Sequence, residues 1–166
     1  MADEATPNAA PNAGQVPVQP KLKVISQYVR DMSFENVAAQ KGQNPQGQPS
    51  FNVQVGLDAQ KKGDKRFEVI IKLQVNATVG EEKLFIIELD YAGLFEIDNV
   101  TEQQMHPFLL IECPRQIFPY LRRIVSDITH DGGFPPLNLD AIDFLQLYQQ
   151  ELQRRAQTEA AAASKN

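Results

Sequence analysis

Phe67-Glu-Val-Ile-Ile-Lys-Leu-Gln-Val-Asn-Ala-Thr-Val79, Gly80-Glu81, then Glu82-Lys-Leu-Phe-Ile-Ile-Glu-Leu-Asp-Tyr91 is the stretch that decides the fold. Phe67, Val69, Ile71, Leu73, Val75, Ala77 and Val79 fall at every second position, the repeat of a strand and not of a helix. Gly80-Glu81 makes a tight turn, after which Phe85, Ile87, Leu89 and Tyr91 resume the alternation. Upstream, the turn-rich Lys61-Lys62-Gly63-Asp64 separates this pair from Phe51, Val53, Val55, Leu57 and Ala59, which again alternate with polar residues. Gly42 to Pro49 is a Gly/Pro/Gln/Asn loop. Before it, Leu22, Val24, Tyr28, Met32 and Phe34 share even parity against Lys23, Gln27, Asp31, Ser33 and Glu35. That reads as one long half-buried strand, with Ile25 and Val29 intruding on its polar face. Four strands with short connections, each with one apolar face, predict an antiparallel sheet covered on one side.

The covering elements follow. Thr101 and Gln104 form a capping-box pattern that opens a short helix carrying Met105, Phe108 and Leu109. Pro114 suits the first position of a second helix, along which Ile117, Phe118, Leu121, Ile124, Val125 and Ile128 recur at helical spacing. Pro119 should kink that helix or delay its regular start. Gly132-Gly133 is a C-terminal stop, and Pro135-Pro136 a stiff connector. Asp140 is placed to cap a last helix with a stripe of Ala141, Leu145, Tyr148 and Leu152, widened by Phe144 and Leu147. Glu151 and Arg155 form an i,i+4 pair on its outer face. Strands first and helices last make an α+β domain.

Composition narrows the function. The 166 residues suit one domain, with residues 1–20 expected as a disordered tail, 21–153 as the folded unit and 154–166 as a flexible C-terminal tail. A formal charge of −5 argues against nucleic acid, which needs clustered Lys and Arg, and favours a cationic partner. No run of about 18 apolar residues is present, so no membrane insertion is expected, and the N-terminus lacks the pattern of a signal peptide. The single Cys113 fits a reducing compartment and a buried thiol. His106 and His130 have no Cys or carboxylate at ligand spacing, there is no P-loop, and no nucleophile, base and orienting group assemble. Neither enzymatic activity nor a cofactor is expected.

Two features rise above this background. Asp31 and Glu35 share parity on the first strand, and Glu88 and Asp90 on the fourth, opposite the main apolar set. They predict an open sheet face that sets carboxylates beside Leu84 and Ile86. Such a face suits a basic partner, charge setting encounter and orientation, although carboxylates also serve simply to keep a sheet face soluble. The second feature is apolar excess, at Ile25 and Val29 and around the 114–131 helix. It points to self-association through the first strand, which pairing with a second copy would protect as an edge.

Asp31-Met32-Ser33-Phe34-Glu35-Asn36, Gly80-Glu81-Glu82, Ala92-Gly93-Leu94-Phe95, Cys113-Pro114 with Phe118-Pro119-Tyr120, and Gly133-Phe134-Pro135-Pro136-Leu137-Asn138-Leu139 occur in that order. In these motifs the chain resembles the SecB family of bacterial protein-export chaperones, from about Leu22 to Leu152. The resemblance implies a four-stranded antiparallel sheet with C-terminal helices on one face, assembled as a dimer of dimers, a homotetramer. It implies cytoplasmic, ATP-independent holding of unfolded precursor proteins and their delivery to the translocation ATPase SecA. It carries SecA binding onto Asp31, Glu35, Ile86 and Glu88, and a client-binding groove onto Phe51, Val53, Val55, Phe144, Leu147 and Tyr148. Asp90-Tyr91 and Ile87 depart from the family's better-known members near the subunit contact. Two other readings stay open: a dedicated chaperone of a toxin–antitoxin system with the same fold, and a small-ligand-binding domain.

Overall fold

The computed structural model describes residues 18–164. The expected tail at 1–20 therefore lies outside the described residues except for its last three positions. Strands β1 (Lys21–Glu35), β2 (Ser50–Gly63), β3 (Arg66–Val79) and β4 (Glu82–Asp98) are followed by helices α2 (Glu102–Asp131) and α3 (Phe144–Ala163). A one-turn helix α1 (Val37–Gln40), absent from the sequence reading, sits between β1 and β2. The sheet is antiparallel throughout, in the order β1-β4-β3-β2. The two central strands are the two most regular apolar alternations, as expected of strands flanked on both edges.

The odd-numbered residues of β3 and β4 pack beneath α2. Val69, Ile71, Val75, Ile87 and Phe95 are fully buried there, against Cys113, Ile117, Leu121 and Val125. Each such side chain contributes about 1.5–3 kcal/mol. That scale explains why α2 is one 30-residue helix and not the two predicted. Pro107, Pro114 and Pro119 all lie inside it. Each removes a helical hydrogen bond at a cost of about 3 kcal/mol, but the apolar stripe that must reach the sheet is continuous through them. Thr101 is the N-cap, yet its side chain makes no capping bond.

The stop at the Gly pair is as expected. Gly132 N–H donates to Ile128 O (2.9 Å) and Phe134 N–H to Thr129 O (3.1 Å), with Gly133 at φ +85°. Thr129, which the sequence did not single out, then fastens the connector. Its buried hydroxyl donates to Val125 O at 2.8 Å and accepts Leu137 N–H at 2.9 Å. The last helix starts three residues later than predicted: Asp143, not Asp140, accepts Gln146 N–H at 3.0 Å. Ala141 thus precedes the helix, and Leu145 and Leu152 are exposed; the packed side is Phe144, Leu147 and Tyr148. Helical structure continues to Ala163, through most of the expected C-terminal tail.

β1 departs furthest from expectation. Register shifts lie between Val24 and Ser26 and between Val29 and Asp31, so Ile25 and Arg30 are extra residues in bulges. Each bulge reverses parity. Tyr28, opposite Ala92, therefore faces the open side, while Val29, opposite Tyr91, shares the helix side with Leu22, Val24, Met32 and Phe34. The strand is also far more exposed than half-buried, because α2 covers the centre of the sheet and leaves this edge bare. A third irregularity, between Ala77 and Thr78, turns Leu84 into the core, away from the carboxylates beside which parity had placed it.

Candidate functional site

The two faces of the sheet carry two different surfaces. On the open face, β1 register sets Asp31 opposite Asp90, Ser33 opposite Glu88 and Glu35 opposite Ile86. The four positions Asp31, Glu35, Ile86 and Glu88 are thus brought together as parity predicted. A shallow depression of about 430 Å³ runs from Asp31, Glu88 and Asp90 to Lys72, Gln74 and Gly56. Asp31, Glu35, Glu88 and Asp90 make no ion pair among the described residues. Their charge is therefore free to act on a partner.

Beside that depression, sequence reasoning missed a second arrangement. Glu68 of β3 points to the same face with its side chain only 7% exposed. Its Oε1 accepts the Tyr28 hydroxyl at 2.6 Å. Its Oε2 pairs with Lys62 Nζ at 3.2 Å and Arg30 Nη1 at 3.5 Å, neither contact having hydrogen-bond geometry. The tyrosine hydroxyl first, then the two cations, hold this carboxyl below its ordinary range against the opposing effect of burial. The same contact, with burial, pushes the Tyr28 phenol up. Ile70 and Ala92, in the same register row as Tyr28, are fully buried even on this face.

The helix side carries an apolar groove of about 590 Å³ at the end of the sheet, walled by α1, the 42–49 loop and the Phe134–Leu137 connector. Its floor is aromatic: Phe85 lies 4.8 Å from Phe134, 5.7 Å from Phe34 and 6.3 Å from Phe51, centroid to centroid. The Asn36 side chain locks this corner by donating to Gly132 O (2.8 Å) while accepting Ala39 N–H (3.1 Å). A smaller cleft of about 200 Å³ lies under α3, between Val55, Leu57, Leu110, Leu147 and Tyr148, with Glu151 and Arg154 at its mouth. His106 Nδ1 and the Tyr148 hydroxyl, 3.1 Å apart, fasten α3 to the start of α2.

Of the predicted groove residues, Phe51 lines the larger groove, and Val55, Leu147 and Tyr148 line the smaller. Val53 lies between them on the same strand face and is 43% exposed. Phe144 does not belong with them. It is 1% exposed and stacks edge-on against Phe118 at 5.7 Å, so it is core and not a rim. Phe134 was missed, and only the Gly pair before it hinted that the chain bends back there. Phe85, which reads as core by parity, is core at 2% exposed and lies beneath the groove. Cys113 is buried as expected, and burial pushes its thiol up to about 12. Among the described residues no group of His, Cys, Asp or Glu converges as metal ligands would, and no helix is long and apolar enough to cross a membrane.

The family model described as preprotein translocase subunit SecB matches residues 15–155. The chain belongs to the SecB family. The protein-export protein SecB of Dinoroseobacter shibae is 62% identical over 99% of this chain and 98% of its own length. That of Roseobacter denitrificans is 56% identical over 96% and 97%. Among solved structures, a SecB-like chaperone of Mycobacterium tuberculosis, in complex with a ChAD peptide from an antitoxin, superposes with a TM-score of 0.62. It is 16% identical, covering 73% of this chain and 90% of that one. At that identity the likeness concerns the fold alone.

Proposed function

We propose that this protein is an ATP-independent export chaperone that holds unfolded precursor proteins in its apolar grooves and passes them to SecA through its acidic sheet face. The observation that carries the reading is the separation of the two surfaces by one sheet. Carboxylates without ion-pair partners lie on one side and an aromatic groove on the other. Phe51, Val53 and Phe134 offer apolar surface without a shaped, closed pocket, which suits stretches of unfolded chain of many sequences. Each Å² of apolar client surface removed from water contributes about 25 cal/mol. A folded client has already hidden that surface. Holding of this kind involves no covalent step and no cofactor.

The same reading includes assembly in the cytoplasm as a dimer of dimers. Val24, Ile25, Val29 and Met32 are all about 40% exposed on β1, at a sheet edge whose backbone groups have no partner strand on one side among the described residues. Pairing with a second copy would cover both. Tyr120, 47% exposed on α2, fits a contact between two such pairs. Linked grooves on several subunits would raise client affinity by effective concentration, about 10²–10⁴-fold. The export proteins among the relatives support this role over service to a toxin–antitoxin system, although the mycobacterial protein shares the fold.

The test is light scattering on a sizing column, with and without a urea-unfolded precursor diluted in at mixing, and with no ATP. The expected result is a tetramer mass that shifts to include the unfolded client and ignores the same client prefolded. A monomer that forms no client complex would refute the reading.

A further inference from the structure

The bulge on β1 creates a problem for an acidic docking face. Because Arg30 is the extra residue, Arg30 and Asp31 both project from the open side, and a guanidinium stands next to a docking carboxylate. Arg30 is 43% exposed at its side chain and long enough to swing, so Asp31 or its register partner Asp90 would be its natural partner. Neither is paired with it. Arg30 instead reaches back across the sheet to Glu68 on β3, and Lys62 of β2 does the same from the far edge.

We propose that Glu68 is a positioning residue for docking, one that holds Arg30 away from the acidic face and so keeps Asp31 and Asp90 unpaired. This rests on the reading of that face as the SecA-binding surface. Three features support it. First, Glu68 Oε2 is a buried carboxylate oxygen with no hydrogen-bond donor, so only the two cations compensate its charge. Second, the Tyr28 hydroxyl fixes the other oxygen at 2.6 Å and aims the carboxylate at the bulge. Third, the charge balance of the depression is narrow. Asp31, Glu88 and Asp90 face one lysine, Lys72, and a released Arg30 would halve the remaining negative surplus. The chain thus stores a competing cation beside its docking site and withholds it with a carboxylate outside that site.

The experiment measures equilibrium binding of the full-length chain to purified SecA at low ionic strength, for wild type, E68Q, R30Q, the R30Q/E68Q double variant and E88K. Client holding by the opposite face is read in parallel as a check on folding. E68Q should weaken SecA binding about three- to tenfold, the scale of one misplaced charge at a partly exposed interface. R30Q should bind as wild type, and the double variant should recover wild-type affinity, a rescue that a purely structural role for Glu68 would not produce. Normal binding by E68Q, or a double variant as weak as E68Q, overturns the proposal. R30Q decides independently if E68Q fails to fold: weakened binding would make Arg30 part of the docking surface, not a withheld competitor. E88K separates the two levels. If E88K binds weakly while E68Q binds normally, only the proposal falls; if E88K binds as wild type, the docking reading falls and takes the proposal with it.

Discussion

Two glycines in the same sheet should respond to alanine with opposite signs. A Cβ added at Gly93 of β4 would lie 2.6 Å and 2.8 Å from Phe95 Cε2 and Cζ and 3.0 Å from Ile117 Cγ2. All three atoms belong to fully buried side chains, so neither neighbour has room to retreat without lifting α2 from the sheet. At Gly56 of β2 the nearest atom is Lys72 Cβ at 3.8 Å, an ordinary contact on an exposed face. Neither residue has positive φ, so both substitutions gain the unfolded-state entropy term of about 0.4–1 kcal/mol. At Gly93 an overpacking cost of about 1–3 kcal/mol opposes it, for a net loss near ~1–2 kcal/mol; at Gly56 nothing does. With a urea m-value of about 1–3 kcal/mol/M, G93A should lower the unfolding midpoint by roughly 0.5–1 M, and G56A should raise it slightly. Circular dichroism during urea titration measures both, at one fixed protein concentration because the proposed assembly would add to apparent stability. A G93A midpoint at or above that of wild type would refute the claim that α2 rests directly on the Gly93 backbone. Equal losses at both sites would show that strand glycine itself, and not the Phe95–Ile117 contact, sets the effect.

Three further outcomes follow from particular contacts. Removing the Phe51 ring, 44% exposed on the groove wall, should weaken client holding about 40-fold per site, from some 90 Å² of lost apolar contact at about 25 cal/mol/Å²; tryptophan-quench titration of an unfolded client checks it, and an unchanged midpoint in urea should accompany it. Glu151 is held at about 2 by hydrogen bonds from Arg154 first and then Arg155. Because that carboxyl is depressed, its support of α3 is present above its ordinary 4.5 and lost as pH falls toward 2. Helicity of E151Q should therefore fall below wild type at pH 7 and match it at pH 2. Burial, then the neighbouring Glu112, raises the Cys113 thiol from 9.0 to about 12, which cuts its thiolate fraction at pH 8 about 10³-fold. Its reaction with a disulfide reagent should be slow in the native chain and prompt in urea; prompt native reaction would show that α2 opens readily.

The central fold was legible because β3 and β4 alternate without interruption in their middle parts, and period 2 has no helical alternative there. Legibility ended wherever one residue changed the phase. Neither Ile25 nor Arg30 is a residue type that announces a bulge, so every parity assignment between them was reversed, and Tyr28 was read as core when it faces the open side. Asp31 and Glu35 were assigned correctly, although the count from Leu22 passes through both bulges: two reversals cancel. The prolines of α2 misled in another way. Each obeys a local rule that ends or delays a helix, and a continuous buried stripe outweighs it. Asp140 and Asp143 are equally good caps by residue type, and only the packing of Phe144 on Phe118 selects the second. That same packing is why Phe144, at the end of a stiff connector, reads from sequence as a groove rim and is core in the structure. Glu68 is the hardest case. A lone charge in a strand reads as a solvated face, and nothing local shows that Tyr28, Arg30 and Lys62, from two other strands, converge on it.

Those two bulges also explain how one short chain keeps an acidic face and an apolar groove apart. β1 must supply Phe34 to the aromatic corner beside Gly132 and, within a few residues, Asp31 and Glu35 to the acidic face. A regular strand running on from Val29 would send Asp31 and Glu35 to the helix side and Phe34 to the open side. The shift at Arg30 prevents this by inserting one extra residue on the open side. Its cost is a cation in the wrong place, and Glu68 is positioned to absorb it. The register of β1, the chemistry of the acidic face and the buried carboxylate of β3 are therefore one arrangement. A change at Glu68 should act on the acidic face and leave the groove on the other side of the sheet untouched.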